Sequence, residues 1–170
     1  MHIILLGYMA SGKSTIGKQL SKKLGIPFLD LDTYIYEKEN KSVSEIFLQN
    51  GEIYFRKKEH EYLREVLENQ QDFILSLGGG TPCYANNIEL ILNKNSISIY
   101  LKASIQTLSN RLLKNKNLRP LVAFLEDDQV PEFIAKHLFE RRFFYEQARK
   151  VVVIDQKSVS EIVDEIGTLL

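Results

Sequence analysis

Residues 7–14 read Gly7-Tyr8-Met9-Ala10-Ser11-Gly12-Lys13-Ser14, the G-x-x-x-x-G-K-[ST] pattern of a phosphate-binding loop. A short apolar run, Ile3-Ile4-Leu5-Leu6, precedes it, and a segment of helical character, Thr15 to Leu24, follows. Strand, glycine loop and helix together turn a pattern match into a mechanism. The N–H groups of such a loop curl around an anion, and the positive end of the helix dipole strengthens their field. Lys13 can reach β- and γ-phosphates, and the Ser14 hydroxyl can ligate Mg²⁺. The motif commits the start of the chain to nucleotide binding. It says little about the reaction, because many phosphoryl-transfer and motor proteins share it.

At 170 residues the chain is expected to form one domain around one core. Lys and Arg total 22, as do Asp and Glu, so the formal net charge is zero, which argues against a nucleic-acid binder acting through bulk charge. No apolar run is long enough to span a bilayer, and Met1-His2-Ile3 lacks the basic start of a signal peptide. Cys83 is the only cysteine, so neither an internal disulfide nor a cysteine metal cluster is available. The expectation is a cytoplasmic protein with no membrane or nucleic-acid partner, and a monomer.

Apolar runs alternate with helical stretches. Strands are expected at 2–6, 28–32, 73–77, 97–101 and 151–155, and helices at 13–24, 44–50, 52–68, 84–93, 104–114, 131–149 and 158–169. Several strands are continuously apolar, as parallel strands covered on both faces must be. The alternation predicts a three-layer α/β fold with a parallel sheet of about five strands. Ligands in such sheets bind at the carboxyl ends of the strands. The least regular stretch, 115–131, is a candidate lid.

Five groups of residues carry the chemistry. Asp30 and Asp32 end the second expected strand, where alternation puts them on one face. One could hold the water shell of Mg²⁺ and the other could hydrogen-bond or deprotonate an acceptor hydroxyl; alternatively Asp32 caps a helix that starts at Thr33. Arg56, Glu59 and Leu63 share one stripe of a charged helix, although spacing alone favours a surface ion pair for the first two. Gly78-Gly79-Gly80 after the third strand would permit positive φ and let a ligand approach backbone N–H donors. Arg119 in the irregular stretch could reach transferring phosphates, or could be a solvated loop residue. Arg141 lies within an apolar stripe of Ile134, His137, Leu138, Tyr145 and Ala148, so it must find an anion or bear the cost of desolvation. His2, His60 and His137 have no metal-ligand spacing and read as structural.

In combination these elements resemble shikimate kinase over nearly the whole chain. The specific features are Asp30-x-Asp32, Phe55-Arg56-x-x-Glu59, the triple glycine, Arg119-Pro120 and Arg141-x-x-x-Tyr145, with Ser42–Phe47 leading to Gly51-Glu52. The resemblance implies transfer of the γ-phosphoryl of ATP to the 3-hydroxyl of shikimate. It implies that Lys13 and the backbone of Ala10, Ser11, Gly12, Ser14 and Thr15 hold the phosphates. Ser14 would hold Mg²⁺ and Asp30 would act through the metal's water shell. Asp32 would contact the shikimate hydroxyls and serve as base. Arg56 and Arg141 would grip the shikimate carboxylate, with Glu59 orienting Arg56. Gly79, between Gly78 and Gly80, would offer its N–H to the substrate. Arg119 would close over the phosphates, and Arg111 would stack on adenine. It also implies a substrate-binding helical region at about 33–62, a lid at about 112–128, and adenine contacts near Gln156 to Ser158.

One departure bears on affinity: Ala10 stands where the family usually has glycine, which suits only a negative φ or a strain of about 1 kcal/mol. Rival readings are another small-molecule kinase, acting on gluconate or a nucleotide, and a non-catalytic nucleotide sensor. The pairing of Phe55-Arg56-x-x-Glu59 with three glycines favours shikimate over the first. Retention of Lys13, Asp32 and Arg119 argues against the second.

Overall fold

The computed structural model describes the chain except Lys94 and Arg119, and describes the backbone alone at Pro120. The elements in order are β1 (His2–Leu6), α1 (Lys13–Leu24), β2 (Phe28–Asp30), α2 (Leu31–Glu39), α3 (Val43–Leu67), β3 (Phe73–Ser76), α4 (Asn87–Ile91), β4 (Ser96–Lys102), α5 (Ile105–Lys114), α6 (Pro120–Ala123), α7 (Val130–Tyr145), β5 (Lys150–Val153) and α8 (Val159–Leu169). All five strands are parallel, in the order β2-β3-β1-β4-β5. The expected three-layer fold is therefore present.

β1 lies in the middle of the sheet and is buried along its whole length. Its side chains alternate between two cores, as the pleat requires. Ile3 and Leu5 pack with residues of α1, α5, α7 and α8, including Leu20, Leu112, Ile134 and Ile166. Ile4 and Leu6 pack with residues of α2, α3 and α4, including Ile35, Phe55, Leu63 and Ile91. Because both faces are covered, β1 must be apolar throughout, and this makes Ile3-Ile4-Leu5-Leu6 legible as a strand. The chain leaves β1 toward β2 and β3 on one side and later passes to β4 on the other, so the loop after β1 lies at the switch point of the sheet.

Several boundaries differ from the sequence reading, among them α7 at Val130–Tyr145 and β5 at Lys150–Val153. β2 stops at Asp30, and Leu31 already begins α2, two residues before the helix start considered at Thr33. Asp30 accepts hydrogen bonds from the N–H groups of Asp32 (3.1 Å) and Thr33 (3.4 Å), so Asp30 caps α2 in place of Asp32. The helices expected at 44–50 and 52–68 join across a kink at Gly51, whose φ of 84° interrupts the helical path. A capping box at Ser42 and Glu45 starts this element. The stretch expected as one helix at 84–93 holds only the short α4, preceded by a 3₁₀ turn at Thr81–Cys83. Among the described residues no helix is long and apolar enough to cross a membrane.

Candidate active site

The loop after β1 curls back on itself. Gly7 can hold no side chain: a Cβ there would lie 2.8 Å from Ser11 Oγ and 2.9 Å from the Leu101 carbonyl oxygen. Gly12, at φ 91°, caps α1. Ala10 takes a φ of 65°, the left-handed region, so the strained alternative applies and the loop carries a cost of about 1 kcal/mol. Lys13 Nζ donates to the carbonyl oxygens of Gly7 (2.7 Å) and Tyr8 (3.0 Å). Arg111 Nη1 braces the loop from α5 by donating to the Ala10 carbonyl at 3.0 Å. Ser14 Oγ donates to Asp30 Oδ2 at 2.9 Å.

Opposite the loop, a cavity of about 180 Å³ is lined by Lys13, Ser14, Asp30, Asp32, Gly78 and Gly79 among others. Asp32 reaches it from the first turn of α2, not from a strand. Strand alternation therefore does not relate Asp30 and Asp32: Asp30 is the extended N-cap residue and Asp32 is helical. Both still face the site, since β2 ends and α2 starts at the carboxyl edge of the sheet. The Asp32 carboxyl is open to the cleft, but protein surrounds much of it. Burial, then the negative charges of Asp30 and Glu59, push it up to about 6, against the pull of Lys13 and Arg56. That value suits a general base working near neutral pH.

The surface ion pair that spacing favours for Arg56 and Glu59 is overturned. Glu59 is 1% exposed, Arg56 is 17% exposed at its side chain, and Nη1 to Oε1 is 2.9 Å. The guanidinium also stacks on Tyr84, 3.9 Å from the ring centroid, and lies over Phe55 at 5.1 Å. Arg141 is held differently. Among the described residues it has no carboxylate at ion-pair distance; it lies over the Tyr8 ring at 5.6 Å and interacts with Tyr145. Tyr145 donates its hydroxyl to the Gly79 carbonyl at 2.5 Å.

The three glycines answer to packing and not to backbone conformation. None of them has positive φ, contrary to one expectation from the sequence. A Cβ at Gly78 would lie 3.2 Å from Asp32 Oδ1, one at Gly79 would lie 3.1 Å from Arg141 Nη1, and one at Gly80 would lie 2.9 Å from Arg56 Nη2. Three consecutive residues thus form the common floor under the side chains of Asp32, Arg141 and Arg56.

Arg119 lies outside the described residues, so its expected role has no geometry here. Ser11 is buried with an unpartnered Oγ, and Thr15 is exposed in the first turn of α1. Asp155 binds Ser104 and Thr107 at the start of α5, and the segment Gln156 to Ser158, expected near adenine, leads from it to the N-cap of α8 at Ser158. The histidines are structural: His2 stacks on Phe73, His60 pairs with Asn87, and His137 pairs with Tyr8. No group of three metal-binding side chains occurs among the described residues. Tyr8, Thr81 and Tyr84 carry no role in the sequence reading; the available signal is that Tyr8 lies within the first glycine motif and that Thr81 and Tyr84 follow the second.

A family model described as shikimate kinase matches residues 9–170. A shikimate kinase of Flavobacterium psychrophilum is 53% identical over 168 residues, covering 99% of this chain and 98% of that one. The crystal structure of shikimate kinase from Bacteroides thetaiotaomicron superposes with a TM-score of 0.91 at 36% identity, covering 99% and 97% of the two chains. Shikimate kinase from Acinetobacter baumannii in complex with shikimate gives 0.86 at 30% identity, covering 99% and 91%.

Proposed function

The chain belongs to the shikimate kinase family, whose members are ATP-dependent kinases, and we propose how its site divides the work of phosphorylating shikimate. The reaction moves the γ-phosphoryl of ATP to the shikimate 3-hydroxyl, giving shikimate 3-phosphate and ADP on the route to chorismate and the aromatic amino acids. The loop amides of residues 10–15 and Lys13 take the phosphates. Arg56 and Arg141 take the shikimate carboxylate, and Asp32 takes the hydroxyl that attacks. Gly79 donates its N–H to the acceptor. Arg111, anchored on the Ala10 carbonyl, flanks the adenine, and Arg119 closes over the phosphates from a lid at about 112–128. Residues 33–62 form the acceptor side.

One observation carries this reading. Gly78, Gly79 and Gly80 bring Asp32, Arg141 and Arg56 together, in that order, beside the phosphate loop. An acceptor with one carboxylate and several hydroxyls needs arginine forks at one end and a carboxylate at the other. Ser14 and Asp30, two hard oxygen donors 2.9 Å apart, fit Mg²⁺, which keeps most of its waters and takes few protein ligands. Bound there, the ion would neutralise charge on the phosphates. The rate then rests on positioning and electrostatics: Lys13 fixes the donor, Arg56 and Arg141 fix the acceptor, and Asp32 accepts the proton of the attacking hydroxyl. Asp32, Arg56 and Arg141 come together within one chain, which supports a working monomer, and dependence on ATP supports a place in the cytoplasm.

The test is coupled ADP release from MgATP with shikimate, quinate, gluconate and nucleoside monophosphates offered separately. Turnover with shikimate alone is expected. Turnover with a different acceptor alone would discard the assignment of Arg56 and Arg141.

A further inference from the structure

Glu59 is an almost fully buried carboxylate with two partners. Oε1 accepts from Arg56 Nη1 at 2.9 Å, and Oε2 accepts from Thr81 Oγ1 at 2.7 Å. Thr81 is wholly buried, and its carbonyl accepts from Asn87 Nδ2 at 2.9 Å. Asn87 is wholly buried too, and its Oδ1 pairs with His60 Nδ1 at 2.7 Å. The chain of bonds runs Arg56, Glu59, Thr81, Asn87, His60 and so returns to α3 one turn beyond its start. It staples α3 to the segment that follows the three glycines.

We infer that Thr81 is a positioning residue for acceptor binding: its hydroxyl orients the Glu59 carboxylate, which in turn holds the Arg56 guanidinium against Gly80. The inference rests on the reading that Arg56 grips the acceptor carboxylate. A hydroxyl supplies one donor, and here that donor goes to Glu59. Without it Oε2 is buried and unpaired, a state costly enough to drive rearrangement. The room for rearrangement is constrained, because Asp32 and Glu59 approach the same point: a Cβ on Gly78 would lie 3.2 Å from Asp32 Oδ1 and 3.6 Å from Glu59 Oε2. Repulsion from Asp32 opposes a swing of Oε2 that way, so the carboxylate turns toward Arg56 and shifts the guanidinium.

Thr81→Val keeps the shape and removes the donor, whereas Thr81→Ser keeps the donor. With ATP and shikimate, Thr81→Val is expected to raise KM for shikimate about tenfold and leave KM for ATP within about twofold. Thr81→Ser is expected to restore KM for shikimate to within about threefold of the parent. An unchanged KM in Thr81→Val, equal losses for both substrates, or a serine variant as impaired as the valine one would each overturn the inference. Melting curves establish that the variants fold; should valine not be accommodated, Thr81→Ala set against Thr81→Ser carries the same expectation. Arg56→Ala is measured alongside. A raised shikimate KM there, with none in Thr81→Val, refutes the role of Thr81 alone. No rise in either removes the reading beneath it.

Discussion

Ser14 Oγ donates a 2.9 Å hydrogen bond to Asp30 Oδ2 across 16 residues of sequence, while Asp30 Oδ1 receives the N–H groups that start α2. One carboxylate thus caps a helix with one oxygen and faces the phosphate loop with the other. The two jobs separate chemically. Asparagine caps helices about as well as aspartate, but it is a poor ligand for a hard cation. Asp30→Asn should therefore melt within about 2 °C of the parent. Its activity should require at least about tenfold more Mg²⁺ for half-saturation. An unchanged Mg²⁺ titration would remove Asp30 from the metal site.

The two arginines proposed to hold the acceptor are unequal. Arg56 already faces Glu59 at 2.9 Å and Glu52 at 3.6 Å, whereas Arg141 lies over the Tyr8 ring and beside Gly79, with no carboxylate at ion-pair distance among the described residues. An uncompensated charge in a partly buried setting interacts more strongly with an incoming anion. Arg141→Ala should raise KM for shikimate by about 30-fold or more and KM for ATP by less than about threefold. Steady-state kinetics with each substrate varied in turn decides it. Equal losses for both substrates would count against a carboxylate anchor.

Asp32 sits where its ionisation is opposed, with its carboxyl pushed up to about 6 by burial and by Asp30 and Glu59. A base must be deprotonated, so kcat should fall as pH drops through about 6. Asp32→Asn should lose about 10²- to 10⁴-fold in kcat and with it this acid limb. The same raised value has a stability consequence. The folded state binds the proton more tightly than the unfolded chain, so stability falls as pH rises from the ordinary value of 3.8 through about 6. Above that range the charged carboxylate opposes folding, by about 1 kcal/mol once its exposure to the cleft is allowed for. Asp32→Asn should then melt about 2–4 °C higher at pH 8, with the gain gone below about pH 4. Melting curves at several pH values test the sign; a variant less stable at pH 8 would contradict it.

Gly80 has φ −87° and ψ −16°, a conformation open to any residue, yet a Cβ there would lie 2.9 Å from Arg56 Nη2. The obstacle is the end of a flexible side chain, so Gly80→Ala should fold and melt within about 2 °C of the parent. Arg56 must move aside, and KM for shikimate should rise about tenfold with KM for ATP unchanged. A variant with parental kinetics would mean that Arg56 can grip the acceptor from a displaced position.

The sequence carried the fold through period and punctuation. The apolar run 3–6, the glycine loop and the alternation of strands with helices are local signals, and the proposed phosphate side of the site lies on one contiguous segment, residues 10–15, for the same reason. Type and pattern point to Asp32, Arg56 and Arg141 but not to the relations between them. Spacing favours a surface pair for Arg56 and Glu59, because a helix repeat does not reveal which face another segment will cover; the turn at Thr81–Cys83 buries it. Likewise the triple glycine announces a requirement for space without saying what fills it. The residues that occupy that space, Asp32, Arg141 and Arg56, come from α2, α7 and α3. Strand order, capping and the missing Cβ atoms bring them together, and these are distances between segments far apart in the chain. Local chemistry therefore determined which residues could act, and packing alone decided which of them meet.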